Sequence, residues 1–76
     1  SSSAEQRTAQ KTMQRVERQM EKLSARQAEL HEQMAAASEA VDLERLGSLQ
    51  EELSGIESQL AEAEEAWLEA SEIVEG

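Results

Sequence analysis

Residues 9–34, AQKTMQRVERQMEKLSARQAELHEQM, decide the fold. Their apolar positions are Ala9, Met13, Val16, Met20, Leu23, Leu30 and Met34, with Gln27 the one polar member of the series. The steps alternate four and three, which keeps one stripe of a helix facing one partner and specifies a left-handed supercoil. A second series follows at Leu46, Leu49, Leu53, Ile56, Leu60, Ala63, Trp67, Ala70 and Val74, again alternating three and four. The two series are out of phase. Continuing the first from Met34 places Ala37, Val41, Glu44 and Ser48 on the seam, and the last two are polar. The chain therefore turns between them. Asp42 is suited to cap the second helix, with Glu44 favourable in its first turn.

The expected fold is all-α, a two-helix antiparallel coiled-coil hairpin. Residues 5–38 form the first helix, 39–42 the turn and 43–75 the second helix, each arm about 50 Å long. Residues 1–4 are expected to be a disordered linker or an expression scar. An antiparallel seam is satisfied in two registers. One pairs Met34 with Leu49, Leu23 with Leu60 and Val16 with Trp67. The other, one heptad away, pairs Leu30 with Leu46 and Met20 with Ile56, and sets Arg26 opposite Glu52. The first is preferred.

Composition narrows the function. The 76 residues hold one Trp and no other aromatic, no Cys and no Pro, so a β-sandwich or barrel is not credible. The absence of Cys removes disulfides and thiolate metal sites, which fits a reducing compartment. No apolar run reaches the ~20 residues of a transmembrane helix, and Ser1–Arg7 lacks the apolar core of a signal peptide. A cytoplasmic address and no membrane contact are expected.

Catalysis has no material to work with. His31-Glu32-Gln33-Met34-Ala35 looks like half of a zinc-binding H-E-x-x-H helix, but the second His is Ala35, so no metal site is expected. Three scattered glycines make no phosphate loop, and Glu51-Glu52 and Glu64-Glu65 are solvated helix-surface pairs. No catalytic residue, cofactor or metal is expected in this chain.

Charge is more informative. The net charge is −10. Residues 1–38 carry six basic and five acidic side chains, whereas residues 39–76 carry one basic and twelve acidic. The six bases are Arg7, Lys11, Arg15, Arg18, Lys22 and Arg26. At ~100° per residue they fall in one stripe ~100° wide, and the helical rise makes it ~28 Å long, directed away from the seam. Like charges four residues apart destabilise a helix, so stability alone does not account for the ladder. Repeated cations suit the phosphates of a nucleic-acid backbone. With no aromatic platform on that face, such binding is expected to be weak, salt-sensitive and indifferent to sequence. The alternative is a structural spacer or protein-docking hairpin that binds no nucleic acid. The chain is expected to be a monomer or a weak homodimer, because a two-helix core is thin.

The run Arg15-Val16-Glu17-Arg18-Gln19-Met20-Glu21-Lys22-Leu23, followed by Leu30-His31-Glu32-Gln33-Met34-Ala35, resembles the C-terminal coiled-coil hairpin of ABC-F ATPases, particularly Uup-like members from actinobacteria. Glu64-Glu65-Ala66-Trp67-Leu68-Glu69 in the second arm is similar to the family's closing E-x-x-W-L-E pattern. The resemblance covers residues 5–74. It implies a cytoplasmic parent with two tandem cassettes that hold ATP and Mg, acting on the ribosome in translation. It also implies a tail that binds DNA or ribosomal or transfer RNA. Only the six basic residues and a structural Trp67 carry over to this chain.

Overall fold

The computed structural model describes residues 2–76 and is all-α. Helix α1 spans Ser3–Glu39 and helix α2 spans Leu43–Glu75, folded into an antiparallel hairpin 56 × 14 × 13 Å in extent. Helix α1 begins earlier than the sequence reading placed it, because Ser2 caps it. The Ser2 hydroxyl accepts from the Glu5 N–H at 3.2 Å, and the Glu5 carboxylate accepts from the Ser2 N–H at 3.4 Å. This reciprocal pair satisfies two free donors of the first turn. Ser3 and Ala4, expected in a disordered linker, are therefore helical. Ser1, the remainder of that linker, lies outside the described residues.

The corner between the helices contains no glycine. Val41 N–H donates to the Ser38 carbonyl at 3.0 Å and Asp42 N–H to the Ala37 carbonyl at 2.9 Å, the two bonds of a Schellman ending. That ending needs a left-handed residue, and Val41 takes it at φ 54. The next residue starts α2. The Asp42 side chain accepts from the Arg45 N–H at 3.1 Å, the capping role its position suggested.

The seam is buried at every seventh residue, except that Ile56 of α2 is half-buried. Ala9, Val16, Leu23, Leu30 and Ala37 of α1, with Leu49, Ala63 and Ala70 of α2, form the core. The alternate seam members, Met13, Met20, Gln27 and Met34 on α1 and Leu46, Leu53, Leu60, Trp67 and Val74 on α2, are half-buried. Two helices cover a seam only from one side, so one of its two alternating rows keeps an edge in water. The seam of α1 also runs one step further than the phase argument implied, to buried Ala37. Val16 and Leu30 are almost fully enclosed, at 1% and 0% exposure. Each contributes about 2 kcal/mol by burial.

One apolar cluster fixes the register. It joins Leu30, Ala37 and Leu49 with Met34, Leu46, Leu53 and Ile56. Met34–Leu49, Ala37–Leu46 and Leu30–Leu53 all fall inside it, the pairs of the preferred register. Met20 and Leu23, which the shifted register would bring against Ile56 and Leu53, do not. Near the open end, Trp67 reaches Glu17, beside Val16, as the same register requires.

Candidate nucleic-acid interface

The basic residues ride on the uninterrupted turns of α1, held outward because the seam fixes the helix's rotation. Arg7, Lys11, Arg15, Arg18 and Lys22 are all exposed. Among the described residues none of them takes part in an ion pair, and the only such pair is Arg26–Glu52. Five cations thus remain available along one helix face.

Arg26 is the exception. The stripe drifts around the helix as it advances, and by Arg26 it has reached the flank of the seam. There the guanidinium forks onto the Glu52 carboxylate, Nε donating to Oε2 at 2.7 Å and Nη2 to Oε1 at 2.9 Å. The two residues differ in height by ~7 Å in the observed register, and the long arginine side chain spans the offset. In the sequence this contact was expected only of the shifted register, yet it forms without the shift. The pair is charge-assisted and bidentate. The hydrogen bond from Arg26 holds the Glu52 carboxyl below its ordinary 4.5, and the hydrogen bond to Glu52 raises the guanidinium further.

The surroundings of the stripe are mixed. Glu17 and Glu21 flank it on α1, and Glu17 is drawn toward α2 by a 3.3 Å hydrogen bond from the Trp67 indole N–H. Arg18, Glu21, Lys22 and Ala25 border a shallow depression on the outer face. Helix α2 presents carboxylates, including Glu62, Glu65, Glu69 and Glu72, all exposed. The hairpin therefore has one basic edge and one acidic edge. His31 is exposed beside the seam and, among the described residues, no group of His, Asp or Glu is placed to hold a metal ion.

One feature escaped the sequence and another was visible in it only in part. The Glu17–Trp67 bond depends on a long-range pairing that no local pattern encodes. The Arg26–Glu52 link was visible only as a consequence of one register, since both residues directly precede a seam position.

The ABC transporter C-terminal domain family model matches residues 4–72, nearly the whole hairpin. The chain belongs to this family. It is thus the C-terminal domain of an ABC protein. The family is a small two-helix C-terminal domain with no catalytic fold. No curated protein and no solved structure gives a significant match. Among the described residues, no helix is long and apolar enough to cross a membrane.

Proposed function

We propose that this hairpin is the tail of a Uup-like ABC-F ATPase and contacts nucleic-acid backbone through Arg7, Lys11, Arg15, Arg18 and Lys22. The observation that carries the reading is the set of five exposed cations, unpaired among the described residues, on one face of a single long helix. Arg26 closes the stripe and contributes less, because Glu52 already neutralises it. The acidic arm faces away from a bound polyanion and is repelled by it, which orients the hairpin with α1 inward. ATP and Mg belong to the parent's cassettes, and the ribosome in the cytoplasm is the setting in which a tail of this kind meets RNA.

Titration against short DNA and a structured RNA, repeated as salt is raised, tests the reading. Five phosphate contacts give a slope of log affinity against log salt of about −4. Replacing Arg15, Arg18 and Lys22 by Gln should make that slope shallower by about 2 and leave helicity unchanged. A flat titration at the lowest salt would mean that the acidic arm dominates. The hairpin would then be a protein-docking spacer.

A further inference from the structure

One flank of the hairpin is left incomplete. At its open end, Thr8, Ala9 and Thr12 of α1 and Ala66, Ala70 and Ile73 of α2 border a groove of about 480 Å³. Most of these side chains are too short to fill the gap between the helices. Ile73 stands beside it, 44% exposed. Glu5 and Glu69 also line the groove; along the same flank Arg15 and Lys22 form the α1 rim at a seven-residue step, and Glu69 and Glu62 form the α2 rim at the same step. Among the described residues, none of these four rim charges is paired.

We propose that this flank binds a second copy of the chain, giving an antiparallel four-helix bundle. The opposite charges of the two rims are matched in height. Turning a copy by a half-rotation about the long axis lays α1 of each protomer along α2 of the other, with the open ends together. In the observed register, Arg15 then stands within ~1.5 Å in height of the partner's Glu69, and Lys22 within the same distance of the partner's Glu62. The symmetry repeats both pairs, so four opposite-charge contacts form. Glu29 meets the partner's Gly55, so no like charges oppose each other along this rim. Ile73 comes over the groove beside the partner's Thr8 and Thr12 and fills the space those short side chains leave. The opposite flank offers far less, with only Arg7 and Glu75 matched in height and charge. Gln19, Gln33 and Gln59 keep the middle of the contact polar, so the association is weak and reversible.

This inference stands apart from the nucleic-acid reading but bears on it. Arg15 and Lys22 belong to both surfaces, so pairing and polyanion binding compete for them.

Sedimentation velocity of the chain from about 10 µM to about 1 mM, at low and at high salt, tests the proposal. The expected result is a shift from the 8.4 kDa monomer to twice that mass as concentration rises, weakened by salt. Glu62→Lys should weaken association about tenfold, since it turns two attractive contacts repulsive. Adding Lys22→Glu in the same chain should restore it. Both positions are exposed, so circular dichroism should show an unchanged hairpin. Ile73→Asp should also abolish pairing. A single monomeric species at every concentration in low salt would overturn the proposal, and so would a dimer indifferent to the charge swap. A failed nucleic-acid titration would leave this result untouched.

Discussion

Val41 holds the corner at a cost. A β-branched residue at φ 54 brings its Cβ against the neighbouring carbonyl, a clash that glycine avoids. Its side chain is 73% exposed, so packing recovers little of the penalty. Val41→Gly should therefore raise stability by about 1 kcal/mol, read as a higher urea midpoint. A lower midpoint would show that the side chain holds the corner in a way its exposure conceals. At Arg26–Glu52 the sign follows from the carboxyl. Its pKa is lower in the folded hairpin than the ordinary 4.5, so the link stabilises the fold above pH 4.5. That contribution disappears as the pH falls through the lower folded value. On acidification below pH 4.5 the melting temperature of the natural chain should fall more steeply than that of Glu52→Gln. Parallel curves would mean that the fork is not held in solution.

At the scale of the element, the two helices are unequal. Helix α1 has a capping box at its start and contains no glycine. Helix α2 contains Gly47 and Gly55 away from the seam, and a Cβ built at either one meets nothing within 4 Å. Each glycine costs helix stability without serving a close approach or a special backbone angle. Gly47→Ala and Gly55→Ala should each stabilise the hairpin by about 1 kcal/mol, additively. Thermal melts of the two single variants and the double variant would check this. An unchanged melting temperature would locate the weak point of α2 elsewhere. Its last turn is one such place, since it carries no basic residue to meet the negative helix end.

Across the whole molecule, charge is separated more than it is balanced. Glu62, Glu65, Glu69 and Glu72 lie three or four residues apart on α2, where like charges repel. Salt screens exposed charges such as these. Raising ionic strength should therefore raise the melting temperature by a few degrees, although it weakens binding to any polyanion. Melts in low salt and in about 0.5 M salt, where screening is short-ranged, distinguish the cases. A fall would mean that attractive pairs dominate and that the acidic edge is compensated within the hairpin.

Most of this architecture was legible in the spacing of apolar residues. Alternating steps of three and four fix which face of each helix is buried, and the lost phase after Ala37 fixes that the chain turns. Those are local, periodic signals, and helices obey them because burial is decided one turn at a time. Asp42 was legible for the same reason, as a cap acts on its own helix. The stripe from Arg7 to Lys22 could be placed on an outer face, although its ligand is a matter for titration. The corner was harder, because a left-handed valine carries no sequence mark. The register, the capture of Arg26 by Glu52 and the reach of Trp67 to Glu17 were decided only when the arms came together. Sliding one heptad leaves every local preference satisfied, so the choice rests on how the side chains of one helix fit those of the other.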